Sequence, residues 1–457
     1  ASLFEDVVKH VRDGKGPALL RLEVPRLCGH SGQDTQAYKT EERIADEKAR
    51  DPLPKLRSYL VPALMSESEW SELESRVEND VAAALEGALS RPEPDPAKIT
   101  RYRFAEAGDP AIIGGLEPGG HEFPKSSSEP APEAQRTNML TAIRRTLEYE
   151  LRTNQKVLVF GEDIGPKGGV HAATMGLQDM FGDKRVFDTS LSEEGIIGRA
   201  VGMAIAGLMP VAEIQFRKYA DPATEQLNNC GTIRWRTANR FAAPIVVRMP
   251  GGFAKVGDPW HSVSGEVIWA HAIGWQMAFP SNAEDAVGLL RAALRGNNPT
   301  IFFEHRHLLD GPWARRPYPG DDYVLPFGKA KITMSGDDLT VVTWGAMVER
   351  CELAAKKIGQ SVEVIDLRTI SPWDKQAVLD SVGRTRRCLI VHEDGITAGF
   401  GAEVAATVAQ EAFFSLDAPI QRFAIPDVPV PHNFDLMDAV VPTVESIAAR
   451  MTEVLEA

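Results

Sequence analysis

The sequence predicts an α/β protein of several domains, and three observations support this. The chain has 457 residues, of which 43% are hydrophobic and 25% charged. That is enough for more than one packed core and too polar for a membrane protein. Apolar runs of strand length alternate with helical patterns over the C-terminal two thirds, as in parallel βα units. A stretch rich in Pro, Ser and Glu precedes this body, so we expect a shorter N-terminal piece joined to it by a linker.

The N-terminal piece is predicted to be mainly helical. It begins with one helix and one strand at residues 18–24, followed by a polar loop at 29–40 and two charged helices. A longer helix at 66–88 has a single apolar packing stripe. Its members are Trp70, Leu73, Val77 and Val81. We place this piece at residues 1–96 and the linker at 97–135.

The body divides into two α/β sets. The first, residues 136–325, has strand patterns at 157–161, 211–216, 244–249 and 300–304, and helix patterns at 195–208, 222–239 and 283–294. The second, residues 326–457, has strands beginning at Leu339, Val362 and Arg387 and helices near Val348 and Ala377. A last helix at 444–455 has Ile447, Met451 and Leu455 on one face, so we expect it to pack on the sheet.

Charge and composition exclude several classes of partner. The formal net charge of -14 opposes non-specific binding to nucleic acid or anionic lipid. No apolar run approaches the roughly 18 residues of a spanning helix. We therefore expect no nucleic-acid and no membrane partner. The first residues lack a secretory signal, which favours an organelle or the cytoplasm; we assign the cytoplasm. The opening on Ala suggests that an upstream region is missing.

Cysteine and glycine patterns give no site of their own. The four cysteines form no CxxC pair, so neither a zinc site nor a disulfide scaffold is indicated. GPKGGV at 165–170 and GFGAEVA near Gly399 lack the spacing of dinucleotide or phosphate loops, and structural turns account better for both. GHSGQ at Gly29 does not have the glycine spacing of a nucleophile elbow, so it does not indicate a serine hydrolase.

Two patterns could carry chemistry. Glu193 and Glu194 precede an apolar helix, where desolvation could raise a carboxyl pKa; the alternative is simple charge complementarity with a helix start. His261 follows DPW, with His271 ten residues later, and a loop histidine can exchange protons near neutral pH. The alternative is that either histidine only satisfies a hydrogen bond.

A family resemblance covers nearly the whole chain. From Thr137 onward the segments VFGEDIGPKGGV, SLSEEG, AGLMPVAEIQF, PWHSVSGE, VIDLRTISPWD, AGFGAEVA and PDVPVPHN occur in the order of one family. They resemble the β subunit of the thiamine diphosphate-dependent decarboxylating component of 2-oxo acid dehydrogenase complexes. RLCGHSGQDTQAYKT and ARDPLPKLRSYL resemble the C-terminal part of its α subunit. The resemblance implies a transketolase-like pyrimidine-binding domain followed by a transketolase C-terminal-type domain, with a partial α-subunit segment at the N-terminus.

The chain departs from the family pattern at one motif. The α subunit carries a GDG motif, followed by an Asn pair, that holds Mg²⁺ and the cofactor diphosphate, and no GDG occurs here. The resemblance therefore implies thiamine diphosphate and Mg²⁺ as cofactors, with the metal ligands in a missing N-terminal region and none in this chain.

The resemblance also implies roles for six residues. Glu193 matches the carboxylate bonded to N1′ of the aminopyrimidine. Glu194 lies at a position where the residue varies within the family. Tyr219 matches an aromatic position beside this ring, and Gln215 and Glu162 match residues of the same pocket. His261 and His30 match histidines near the substrate and the lipoyl group. Ser31 follows His30 like a serine that is phosphorylated in some relatives, and a second such position is Ala37 here, so this regulation stays open.

The expected function is oxidative decarboxylation of a 2-oxo acid with acyl transfer to a lipoyl acyltransferase partner, in an assembly of at least two chains. EIQF and IFFE favour a branched-chain 2-oxo acid over pyruvate. Two alternatives remain. One is another transketolase-like thiamine enzyme, such as a ketol transferase or deoxyxylulose phosphate synthase. The other is a non-catalytic assembly subunit, because the diphosphate motif is absent from the sequence.

Overall fold

The computed structural model describes residues 2–116, 125–254 and 257–457. The chain forms two compact units, Ala1–Lys98 and Ile99–Ala457. Each has its own architecture, and the candidate site residues fall in both.

The first unit is helical. Its helices are α1 (Ser2–Arg12), α2 (Glu41–Ala49), α3 (Pro52–Leu60) and α4 (Glu67–Leu89), and a single 3₁₀ turn, Pro96–Lys98, closes it. The prediction of a strand at residues 18–24 is wrong: this segment is irregular and mostly exposed. A strand needs a neighbour to accept its hydrogen bonds, and the described part of this unit offers none.

Helix α4 begins where the sequence predicts. Ser66 accepts a hydrogen bond from the Glu69 amide, and the Glu69 side chain returns one to the Ser66 backbone, which forms a capping box. Its predicted packing stripe is confirmed only at Trp70, which is buried. Val77 and Val81 are 52% and 64% exposed, so this end of the stripe packs on nothing within the unit.

The second unit opens with a seven-stranded sheet. Its strands are β2 (Val157–Gly161), β3 (Val186–Asp188), β4 (Met209–Glu213), β5 (Val246–Gly251), β6 (Gln276–Ala278), β7 (Thr300–His305) and β12 (Thr369–Ser371). Their spatial order is β12-β6-β7-β5-β4-β2-β3, and only β12 runs antiparallel to its neighbour. A short antiparallel pair, β1 (Arg136–Thr137) and β8 (Arg316–Pro317), lies outside this sheet.

Helices cover this sheet on both faces, as a parallel sheet requires. They are α5 (Met139–Thr153), α6 (Leu177–Phe181), α7 (Glu193–Ile205), α8 (Thr224–Arg236), α9 (Glu266–Ala270) and α10 (Ala283–Leu294), with a 3₁₀ turn at Arg217–Ala223 before α8. Leu147 and Leu290 belong to one apolar cluster, and Ile197 and Leu227 to another. Strand β4 ends at Glu213, earlier than the predicted 211–216, although the Ile214 amide still donates to the Arg248 carbonyl of β5 at 3.0 Å.

A five-stranded sheet follows. Its strands are β9 (Lys331–Met334), β10 (Leu339–Thr343), β11 (Val362–Asp366), β13 (Cys388–Gly395) and β14 (Gln421–Ile425), in the order β14-β13-β10-β11-β9. Its helices are α11 (Met347–Ile358), α12 (Lys375–Thr385), α13 (Gly401–Glu411), α14 (Phe434–Val440) and α15 (Val444–Glu456), and a 3₁₀ turn spans Phe413–Ser415. Ile447 and Met451 of α15 are fully buried, as predicted.

The two sheets share their cores. One apolar cluster contains Leu290 beside the first sheet and Val341 and Ile447 of the second, and the other cluster continues from Ile197 to Ile390. Strand β12 lies after β11 in sequence but completes the edge of the first sheet. The two sheets therefore form one packed body.

The residues predicted as a linker bond to this body from Ile99 onward. The Trp235 indole donates to the Ile99 carbonyl at 2.8 Å, and the Leu116 amide donates to Asn297 at 2.6 Å. Ser127 donates its amide to the Asp322 carbonyl at 2.6 Å. In the described ranges no helix is long and apolar enough to cross a membrane.

Candidate functional site

The carboxyl ends of β2 and β4 bring two predicted pocket residues together. Glu162 directly follows β2 and Gln215 lies two residues after β4, and neighbouring parallel strands end at the same edge of the sheet. The Gln215 amide donates a hydrogen bond to Glu162 Oε2. Burial raises the pKa of Glu162, the Gln215 bond opposes this rise, and the charge of Glu193 adds to it. Glu162 therefore interacts with both residues, through a hydrogen bond with Gln215 and through charge repulsion with Glu193.

The two neighbouring glutamates at the start of α7 are in different surroundings. Glu193 is half-buried, and its charge acts on Glu162. Glu194 is exposed and accepts a hydrogen bond from the Ser192 hydroxyl at 3.0 Å. Of the pair, Glu193 is the less exposed and is the one whose charge acts on Glu162.

An aromatic group adjoins this pocket. The rings of Phe216 and His261 lie 4.3 Å apart between centroids. The Tyr219 hydroxyl is 3.2 Å from His261 Nε2, and Asp258 is 3.2 Å from His261 Nδ1. Arg306 donates to the His261 carbonyl at 3.0 Å, and its guanidinium lies over the Phe216 ring. His261 is thus fixed at both ring nitrogens and at its backbone.

His171 is a member of this group that the sequence reasoning did not single out. Its ring packs edge-on against Phe216 at 5.3 Å. Burial, and then the charges of Arg306 and Arg248, lower its pKa to about 4. The signal was the GPKGGV segment just before it, where Gly168 and Gly169 have φ of +80° and +82°.

A buried ionic triad lies in the sheet beside the group. Arg248 of β5 donates to Glu213 of β4 at 2.5 Å and to both oxygens of Glu304 of β7 at 2.6 and 2.9 Å. All three side chains are almost completely buried. A carbon added at Gly169 would lie 3.3 Å from a Glu213 oxygen, so the glycine turn packs closely against the triad.

Two other histidines considered in the sequence have contacts of their own. His271 is exposed at the end of α9 and lines a cavity of about 440 Å³ with Trp373 and Phe400. His30 belongs to the first unit, where its amide donates to Asp34 at 2.6 Å and helps to keep the pKa of that carboxyl low.

Three buried polar atoms in the pocket lack a hydrogen-bond partner among the described residues, and two of them are acceptor oxygens. They are Glu162 Oε1, Gln215 Oε1 and His171 Nε2. Buried polar atoms are nearly always paired, so this arrangement fits a ligand that presents N–H or O–H groups. Within the described ranges no cluster of three or more His, Cys, Asp or Glu side chains could hold a metal ion.

Comparison with known families matches three parts of the chain. Residues 5–97 match the dehydrogenase E1 component, residues 135–312 the transketolase pyrimidine-binding domain, and residues 328–447 the transketolase C-terminal domain. These matches and the two sheets confirm the fold class expected from the sequence.

Individual proteins similar to this chain come from the same family as these matches. The β subunit of 2-oxoisovalerate dehydrogenase from Bacillus subtilis is 40% identical over 325 residues, which cover 69% of this chain and 98% of that subunit. The corresponding subunit of Pseudomonas aeruginosa is 41% identical over 64% of this chain and 88% of its own length. The mitochondrial subunit of Dictyostelium discoideum is 40% identical over 68% and 85%.

A solved structure shows the same fold. The chain of a split-gene transketolase, described as an inactive β4 tetramer, superposes with a TM-score of 0.58 at 19% identity and covers 70% of this chain and 98% of that one. From the identity with these β subunits and the three family matches, the chain belongs to the thiamine diphosphate-dependent 2-oxo acid dehydrogenase family and joins an α-subunit-type segment to the two domains of the β subunit.

Proposed function

We propose that this protein oxidatively decarboxylates a branched-chain 2-oxo acid and passes the acyl group to the lipoyl group of an acyltransferase partner. The observation that carries the proposal is the likeness to 2-oxoisovalerate dehydrogenase β subunits along almost their whole length. The grouping of Glu162, Gln215 and Glu193 beside Tyr219 and His261 supports it.

The pocket fits the cofactor that this family uses. Thiamine diphosphate supplies a nucleophilic carbon and an electron sink for decarboxylation. Glu193 would accept the bond from the pyrimidine N1′, and Glu162 and Gln215, with one unpartnered acceptor atom each, would line the same ring. Tyr219 would pack against the ring face. Mg²⁺ would accompany the diphosphate.

His261 is the residue best equipped to move protons near the substrate. Asp258 and Tyr219 hold its two ring nitrogens, so the imidazole keeps one orientation while it exchanges a proton. Its proposed roles are to position the 2-oxo acid and to deliver a proton during acyl transfer. We assign His30 of the α-type segment the same role.

The proposed partners follow from this chemistry. An acyltransferase component must present the lipoyl group that accepts the acyl product, and we expect at least two copies of the chain in the active assembly. The Phe216, Tyr219 and His261 cluster would form the part of the pocket where the 2-oxo acid and the lipoyl group meet.

The test is turnover by the full-length protein, supplied with thiamine diphosphate, Mg²⁺ and an artificial electron acceptor. We expect kcat/KM for 2-oxoisovalerate to exceed that for pyruvate by about 100-fold, since its side chain has two more carbon atoms to bury and each contributes about tenfold. Preference for pyruvate would overturn the substrate assignment. No turnover with either acid would favour a non-catalytic assembly subunit.

A further inference from the structure

The PDVPVPHN segment, residues 426–433, is a motif to which the proposed function gives no task. It connects β14 to α14 in the second α/β set. The ring of Pro431 fixes the φ angle of the residue before His432. Asn433, directly after His432, accepts a hydrogen bond from the Leu436 amide and caps α14. The backbone on both sides of His432 is therefore constrained.

The side chain of His432 contacts the first α/β set. Its Nδ1 is 2.8 Å from the carbonyl oxygen of Gly257. A carbonyl oxygen only accepts, so Nδ1 carries the hydrogen and donates it. Gly257 is buried, and a carbon added there would collide with the Pro431 carbonyl oxygen and lie 2.7 Å from a Val430 methyl carbon. The backbone of Gly257 thus lies directly against this motif, at a position that suits glycine.

The bond to Gly257 acts on the residue that holds the His261 ring. The Gly257 carbonyl and the Asp258 amide belong to one planar peptide unit. Asp258 Oδ1 accepts hydrogen bonds from the amides of Trp260 and His261, each at 2.8 Å, and the same oxygen is 3.2 Å from His261 Nδ1. His432 therefore fixes the peptide plane from which these contacts with His261 start.

A second contact joins the same two α/β sets near this loop. The Phe253 amide, just after β5, donates to Glu393 Oε1 of β13 at 2.8 Å. The other oxygen of Glu393 is 2.6 Å from His305 Nε2 at the end of β7, and both of these side chains are almost completely buried. The second α/β set thus holds the chain after β5 at Phe253 and again at Gly257.

We propose that His432 is a positioning residue for His261. By holding the peptide unit between Gly257 and Asp258, it keeps the Asp258 carboxylate against the imidazole. The expected effect on turnover rests on the proposed function, because it assumes that His261 acts on the 2-oxo acid. The hold on the loop requires neither cofactor nor substrate, so it can be measured separately.

The experiment compares two variants of His432 in the full-length protein. His432→Leu removes the donor, whereas His432→Asn keeps an N–H donor as far from the backbone as Nδ1. Hydrogen–deuterium exchange with mass spectrometry, without cofactor or substrate, reports on the peptide that contains Trp260 and His261. We expect exchange there to become about five- to tenfold faster in His432→Leu, the effect of one lost hydrogen bond. The kcat for 2-oxoisovalerate should fall about three- to tenfold, and His432→Asn should restore both values.

Thr397→Val is the matched control. It removes the 2.8-Å-class bond partner of the same motif on its other side, because the Thr397 hydroxyl donates to Asp427 at 2.7 Å. It should leave both exchange near His261 and kcat unchanged. If His432→Leu does not fold, as judged by its thermal unfolding, His432→Ala replaces it.

Three results would overturn this inference. They are unchanged exchange near His261 in His432→Leu, equally fast exchange in Thr397→Val, and faster exchange with an unaltered kcat. Failure of His432→Asn to restore the wild-type values would also contradict it. Faster exchange in His432→Leu, together with no turnover by the wild-type protein, would support the hold on the loop and overturn the proposed function instead.

Discussion

The phenolic oxygen of Tyr219 lies 3.2 Å from Nε2 of His261, so one hydrogen bond joins the segments that follow β4 and β5. Asp258, on the same loop as His261, is 3.2 Å from the other ring nitrogen. The imidazole is therefore held from both sides. Tyr219 keeps His261 oriented, in addition to its proposed packing against the cofactor.

Tyr219→Phe should separate these two tasks. The variant keeps the aromatic ring and loses only the hydrogen bond to His261, so we expect kcat to fall about three- to tenfold with little change in cofactor Kd. Steady-state kinetics and cofactor titration measure the two effects. Tyr149→Phe on α5 is the control and should leave kcat unchanged. A large loss of cofactor affinity in Tyr219→Phe would show that the hydroxyl itself binds the cofactor.

Glu193→Gln should abolish activation of the cofactor while the protein stays folded. We expect the rate of hydrogen exchange at C2 of bound thiamine diphosphate to fall by about 10² or more, since an amide cannot take part in the proton transfer. NMR after acid quenching measures this rate before any substrate is added. Glu194→Gln is the control, because Glu194 is exposed and bonded to Ser192. A larger loss in Glu194→Gln would show that the wrong carboxylate has been assigned.

Arg248→Met should destabilise the protein strongly. The substitution leaves Glu213 and Glu304 buried beside each other without their cation, which costs about 3 to 5 kcal/mol. Urea unfolding followed by circular dichroism measures this. Arg152→Met removes the exposed ion pair with Glu148 and should cost at most about 1 kcal/mol. Similar losses in both variants would argue that the triad contributes no more than a surface pair.

His392 should make stability depend on pH. Its ring stacks on Trp344 at 5.2 Å, and burial and Arg422 lower its pKa from 6.5 to about 3. Below pH 6.5 this histidine binds a proton in the unfolded chain but not in the folded chain. The free energy of unfolding therefore falls by about 1 kcal/mol per pH unit toward pH 3. We expect His392→Leu to lack this contribution when unfolding is measured from pH 7.5 to 5. Equal slopes in both proteins would contradict a neutral, buried His392.

Limited trypsin digestion should cut after Lys98 before it cuts within the second unit. Lys98 is exposed at the boundary between the two units, whereas residues from Ile99 onward bond to the second unit. Mass spectrometry should detect a fragment that begins at Ile99 before any fragment cut inside the second unit, and Lys98→Gln should delay its appearance. A first cut at Arg199 inside α7 would contradict the division into units.

The sequence was informative where a local pattern sufficed. The β10, β11 and β13 strands and the helices α10 and α15 lie where apolar periodicity and capping residues indicate. The bond between Gln215 and Glu162 fits their shared position after neighbouring parallel strands.

Features that depend on distant partners could not be predicted. Residues 18–24 have strand-like composition, but no strand in the described part of the first unit pairs with them. The triad needs three strands to converge, and each charged residue alone resembles a surface group in the sequence. His171 follows a glycine turn that packs closely against Glu213 of β4, and this contact between distant residues is not visible in the sequence.

Strand β12 limits how this protein can be engineered. Residues Thr369–Ser371 lie within the second α/β set in sequence, yet they form the edge of the seven-stranded sheet by pairing with Gln276–Ala278. A chimera cut at residue 326 that takes its C-terminal part from a relative would therefore receive a foreign edge strand in its first sheet. Exchanges between family members should keep β6 and β12 from the same parent, so that recombination follows spatial pairing rather than the linear order of the chain.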